Sequence, residues 1–170
     1  RGKFAAVEFH NHEWDNPAAL RELGTIPAAA ITELSGGEFE MELPVKINRR
    51  LFDYDQVIIV GPVFPHEVAG FSGGNKYLFP GVSGPELLNF FHWLGAVISN
   101  PKIIGHKWTA VRKVIDLAAS MVAIDKRCFA MVARPDKSLA GLFFGTPESA
   151  WDAASDLSAR EHITYVERPF

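Results

Sequence analysis

The residues best equipped for chemistry lie in one stretch. Between Gly61 and Gly84 the chain carries six glycines together with His66 and Lys76. Glycines let backbone N–H groups approach an anion closely, and a lysine beside them adds a positive charge. The pattern is neither a P-loop nor a G-x-G-x-x-G fingerprint. On residue types alone it fits an anion-holding loop and an ordinary glycine-rich connection with a surface lysine equally well. His66, following Pro65, has a solvated turn histidine as its plain alternative. His92 sits among Phe90, Phe91, Trp93 and Leu94, where a hydrogen-bonded core histidine is the alternative. His10 and His12 have an alternate-residue spacing that could hold a metal. His106 marks a loop before a helix, and His162 falls near a helix end, where a cation is favourable. Cys128 and the four tryptophans, Trp14, Trp93, Trp108 and Trp151, most simply pack the core.

The elements around this stretch read as follows. Phe4–Phe9 is apolar and reads as a strand. Asn16 and Pro17 are an N-cap and first residue of a short helix that uses Leu20 and Leu23 and stops at Gly24. Ala28–Leu34 and Glu38–Ile47, either side of Gly36-Gly37, read as two extended segments joined by a tight turn. Asn48–Tyr54 predicts a short helix leading into a strand over Gln56–Val60. That strand is apolar at four successive positions, Val57 to Val60, as where both sheet faces are covered. Ligands of open α/β sheets bind outside the carboxyl ends of strands, where the glycine stretch begins. Pro85 opens a helix over Glu86–Ile98. A second helix, Thr109–Met121, has Val111, Val114, Ile115, Ala118 and Val122 at helical spacing. Phe129–Ala133 and Ala140–Phe144 form a hairpin. Thr146 and Pro147 open a last helix reaching about His162. The expected class is α/β: a layered sheet of mostly parallel strands with flanking helices, plus a β-hairpin.

Composition limits the partners. A chain of 170 residues with 48% hydrophobic and 22% charged residues is globular rather than disordered or fibrous. Net charge is −3 and the 17 Lys and Arg residues are scattered, so no nucleic-acid surface is expected. No apolar run approaches the roughly 18 residues of a membrane span. A lone cysteine cannot form an internal disulfide, which suits a reducing cytoplasm.

Pro65-His66, Ala69 through Gly74, Lys76 and Pro80 through Gly84 resemble the signature of the lactate racemase family, the enzymes that use a nickel-pincer nucleotide. His12 through Pro17, Leu23-Gly24 and Asn48-Arg49-Arg50 extend the resemblance. It is strongest from Asn48 to Gly84. In that family a pyridinium nucleotide grips nickel through two sulfur-bearing groups and a carbon. One of those groups is joined to a lysine as a thioamide, and a histidine completes the metal's coordination. The resemblance therefore implies Lys76 as the attachment residue and His92 as the nickel ligand. It implies His66 as one of two acid/base histidines, with Ser72, Gly73 and Gly74 lining the cofactor pocket.

The implied chemistry is racemisation or epimerisation of a 2-hydroxy acid. Its C–H proton is too weakly acidic for direct removal, so the family is understood to take hydride while a histidine takes the hydroxyl proton. A transient 2-keto acid then accepts hydride on either face. Histidine suits the proton transfer because its unperturbed pKa lies near neutrality, and imidazole suits nickel.

The resemblance also implies what is missing. The family's second acid/base histidine and its upstream phosphate-binding residues precede Arg1, and a second domain should follow Phe170. Residues 1–170 are thus expected to be the central to C-terminal part of the N-terminal, cofactor- and nickel-binding domain of a two-domain enzyme, inactive alone. The stretch Ala28–Glu42 is longer than the family usually has. Two other readings stand beside this one: a non-catalytic nucleotide- or anion-binding module, and a structural domain whose glycine loop only shapes an interface.

Overall fold

The computed structural model describes residues 3, 5–164 and 166. In chain order the elements are β1 (Leu20–Ile26), α1 (Ala28–Ser35), β2 (Leu43–Asn48), β3 (Gln56–Pro62), β4 (Pro65–His66), β5 (Gly70–Phe71), α2 (Pro85–Ile98), α3 (Ala110–Ser120), β6 (Asp125–Ala133), β7 (Leu139–Gly145) and α4 (Pro147–His162). This is a mixed α/β fold.

The strands fall into three small sheets among the described residues. They are β1 with β2, β3 with β6 and β7, and β4 with β5. Only β3 and β6 pair in parallel; the other pairs are antiparallel. The expected mostly parallel sheet is therefore not what these residues form. Parallel neighbours need a long crossover, and here α2 and α3 supply it between β3 and β6. The short links between β4 and β5 and between β6 and β7 permit only hairpins.

The Gln56 strand is present, but it is covered on one face only. Ile59 is buried, whereas Ile58 and Val60 are 55% and 60% exposed. Their apolar character gave the wrong expectation that both faces were packed. Helix α4 lies against β6 and β7 and fills the covered side.

Other elements differ from the sequence reading for identifiable reasons. Ala28–Ser35 is helical, as a run of three alanines after Pro27 favours. Gly36 then adopts φ 70°, and the Gly36 and Gly37 N–H groups close on the Glu33 and Thr32 carbonyls. The glycine pair is a helix stop, not a hairpin turn. Asn16 does cap Pro17, its side chain accepting from the Ala18 N–H at 3.1 Å. The helix ends after one 3-10 turn, Pro17–Ala19, and Leu20 begins β1. Of the proposed Phe4–Phe9 strand, Phe4 lies outside the described residues. Val7–Phe9 have no regular structure, and Val7 and Phe9 are exposed.

The remaining helices fall where their caps put them. Pro85 opens α2, Thr109 accepts from the Arg112 N–H at the start of α3, and Thr146 caps α4. All five predicted apolar positions of the α3 stripe are buried. Each of the valines and the isoleucine contributes about 1.5–3 kcal/mol on full burial. No helix among the described residues is long and apolar enough to cross a membrane.

Candidate active site

The segment after β3 turns back on itself within a few residues. His66 on β4 pairs with Gly70 on β5. Gly70 has φ 83°, and a Cβ there would lie 1.9 Å from the His106 carbonyl oxygen. Only glycine lets the hairpin close at this point. The Val68 N–H donates to His66 Nδ1 at 3.0 Å. A backbone N–H can only donate, so in the neutral ring Nδ1 is the acceptor and Nε2 carries the proton.

Lys76 sits in the 3-10 turn Gly74–Tyr77. Its N–H donates to the Gly73 carbonyl at 3.2 Å, and its own carbonyl accepts from Gly81 at 3.2 Å. The backbone at this residue is thus held from both sides. His92 projects from α2. The helix buries Leu87, Phe90, Phe91 and Leu94, while His92 itself is exposed. Leu88, Phe91 and His92 share one helix face by their spacing. A Cβ on Gly95 would come within 3.3 Å of Val68, so α2 passes close beside the His66 hairpin.

These three residues meet. A cavity of about 130 Å³ is lined by His66, Glu67, Lys76, Leu88 and His92, with Pro80, Val68, Ala69, Phe91, Val111 and Ile115 as its apolar wall. A larger cleft of about 410 Å³ lies by Asn16, Asn48, Arg49 and Arg50, and it contains none of the three. Size does not select the site; the gathering of imidazoles and an amine does.

The electrostatics favour uncharged groups. Burial, then the Lys76 charge, hold the His66 imidazole below the usual histidine value; Arg112 and His92 add to this and Glu67 opposes it. Burial, then Arg112, hold the Lys76 ammonium below the usual lysine value, with Glu67 again opposing. A lysine in such surroundings spends more time as the free, nucleophilic amine.

Ser72, Gly73 and Gly74 are buried, and none of them lines this cavity. The Ser72 hydroxyl donates to the Pro62 carbonyl at 3.1 Å and accepts from the Phe64 N–H at 3.0 Å. Gly73 and Gly74 adopt φ 85° and 58°, and a Cβ on either would collide with Val63 or Trp151. These three residues set the course of the loop that carries Lys76.

The sequence alone did not assign several residues to the site. Arg112 interrupts the apolar stripe of α3 and is 1% exposed. Asn75, beside Lys76, donates through Nδ2 to Asp116 at 3.0 Å and to Glu148 at 2.8 Å. Burial, with Glu148 nearby, pushes the Asp116 carboxyl above its usual range, while Asn75 and Arg112 oppose. Trp151 packs beneath the loop. A charged residue at a buried helix position was the one clue available for Arg112. Burial pushes the Cys128 thiol up to about 11, which marks it as an inert core residue.

His10 and His12 do not form a metal pair. His10 Nε2 contacts Glu8 at 3.0 Å, and His12 bonds the Ser83 carbonyl at 2.9 Å and Asn48 at 3.1 Å. His12 thereby ties the segment before β1 to the end of the glycine loop. No group of three or more His, Cys, Asp or Glu among the described residues could hold a metal alone.

A layered α/β chain with a lysine and two histidines around one cavity defines a candidate cofactor-binding domain. Residues 4–104 match the lactate racemase N-terminal domain, and the chain belongs to that family. It is 31% identical over 94 residues to the lactate racemase of Thermoanaerobacterium thermosaccharolyticum, covering 55% of this chain and 19% of that protein. The structure is similar to a crystal structure of a Thermotoga maritima protein, with a TM-score of 0.86 and 35% identity. That match covers 95% of this chain and 41% of the other. It also resembles the lactate racemase apoprotein of Thermoanaerobacterium thermosaccharolyticum, with a TM-score of 0.71 and 21% identity, over 88% of this chain and 33% of that one. The chain spans less than half the length of each of these proteins.

Proposed function

We propose that this chain forms the nickel- and cofactor-binding part of a 2-hydroxy acid racemase or epimerase, working in the cytoplasm. The observation that carries the reading is the meeting of His66, Lys76 and His92 around one cavity. The residues fit a nickel-pincer nucleotide. His92 is exposed enough to offer a nitrogen, and Lys76 has its ammonium destabilised, as thioamide formation requires. The described residues gather no complete metal site of their own. A nickel at His92 would take its other ligands from an organic group.

When bound, that nucleotide supplies the acceptor and donor of hydride. The rest falls to the protein. Lys76 holds the group in place by a covalent bond, on a turn whose backbone is fixed at both ends. His66 handles the proton of the substrate hydroxyl. With Nδ1 accepting from Val68, the neutral imidazole presents its Nε2–H to the substrate oxygen as a hydrogen-bond donor, and taking the hydroxyl proton needs the other tautomer, with Nε2 free. Its depressed pKa favours the neutral form, the one a general base needs. The apolar wall of Val68, Phe91, Val111 and Ile115 limits water. Residues beyond this chain complete the substrate pocket and contribute the second acid/base histidine.

The test is nickel content. The longer protein, made together with the cofactor-synthesis enzymes, should carry close to one nickel per chain by elemental analysis. His92→Ala should lose most of it while keeping its fold. Full nickel retention in His92→Ala would remove that residue from the metal site.

A further inference from the structure

Among the described residues Arg112 is the largest fully buried side chain, and none of their carboxylates is bonded to its charge. Asp116, one turn further along α3, accepts its hydrogen bond from Asn75 instead. The guanidinium bonds to backbone carbonyls. Nη2 donates to the Phe71 carbonyl at 2.6 Å and Nη1 to the Gly73 carbonyl at 3.3 Å. Its Cζ lies 4.1 Å from the centre of the Trp151 ring. Nε is buried and unpartnered. Burying a charge is costly, and an apolar side chain of similar volume often serves stability as well. The arrangement calls for another purpose.

The geometry supplies one. The Gly73 carbonyl that accepts from Arg112 also accepts from the Lys76 N–H. One oxygen therefore joins the guanidinium on α3 to the backbone of Lys76. We propose that Arg112 is a positioning residue for Lys76, fixing the Phe71–Gly73 backbone from which the Lys76 turn starts. This deepens the reading of Lys76 as the attachment residue and rests on it. Guanidinium suits the task because its planar fork reaches two carbonyls at once, which an ammonium cannot do in the same geometry.

R112Q and R112K in the longer protein, made without the cofactor-synthesis enzymes, test the proposal through amide hydrogen exchange at Lys76. Each variant loses the fork that reaches both carbonyls. Both should exchange the Lys76 amide several-fold faster than wild type, while the amides of β1 and β2, in another sheet, keep their wild-type rates. A wild-type rate at Lys76 in a variant that melts cooperatively would overturn the proposal, and so would equal acceleration in β1 and β2, which marks general loosening. Should R112Q give no cooperative melt, R112K decides alone. The readout does not use the cofactor. A Lys76 that never carries an adduct in the longer enzyme would defeat the attachment reading and leave this result intact.

Discussion

The indole N–H of Trp151 donates to the carbonyl oxygen of Ser72 at 2.9 Å, tying α4 to the glycine loop. The same ring lies against the Arg112 guanidinium, and Trp151 stands where a side chain on Gly74 would otherwise go. The loop bearing Lys76 is therefore held by residues far along the chain.

Trp151→Phe keeps most of the ring and removes the donor, leaving a buried carbonyl one bond short. It should cost about 1–3 kcal/mol of stability. Trp151→Ala adds a cavity and should cost about 3–5 kcal/mol. Urea unfolding of the two variants checks the order. Equal losses would mean that the packing of the ring contributes nothing beyond the hydrogen bond.

Gly74→Ala and Gly37→Ala compare two glycines with positive φ. Gly37 faces open space, whereas a Cβ on Gly74 would sit 2.8 Å from the Trp151 Cβ. Gly37→Ala should cost about 1 kcal/mol from backbone strain alone. Gly74→Ala should add a further ~1–3 kcal/mol of overpacking. Similar denaturation midpoints for the two would contradict the close packing described for the loop.

Local signals explain which parts of this fold could be read from sequence. Pro85 marked α2, and Thr146 with Pro147 marked α4, because they act through neighbours in the chain, while apolar spacing marked α3. The β6–β7 hairpin was legible for the same reason. The segment 28–35 was misread because Gly36-Gly37 serves a hairpin turn and a helix stop equally well until the Thr32 and Glu33 carbonyls are in view. The exposed face of β3 was hidden because four apolar residues in a row do not say which of them is covered. At the site, resemblance picked out His66, Lys76 and His92, and the fold brings them to one cavity. The contacts of Arg112, Asn75 and Trp151 were out of reach, although Trp151 was rightly expected in the core. Their partners lie between 39 and 79 residues away, and nothing local announces such contacts.

His66 gives the stability a pH dependence of known sign. Its folded pKa lies below the ordinary 6.5, so the unfolded chain takes up that proton first as pH falls. Above 6.5 the residue has no effect; below it stability declines, until the pH passes the folded value. His66→Asn places an oxygen where Nδ1 accepts from Val68 and removes the titration. The variant should lose less stability than wild type between about pH 7.5 and about pH 5.5 by urea unfolding. A slope identical to wild type would contradict the burial and charge environment assigned to His66.

The proposed covalent role of Lys76 is tested most directly by intact mass under denaturing conditions. The longer enzyme would be produced with the cofactor-synthesis enzymes as wild type, Lys76→Ala and Lys76→Arg. Arginine preserves the positive charge, so phosphate attraction alone would let it substitute. A thioamide needs the lysine amine. Wild type should carry the mass of the nucleotide adduct through denaturation, and both variants should run at the mass of the bare chain. An adduct that survives in Lys76→Arg, or one that never appears on active wild type, would contradict the assignment.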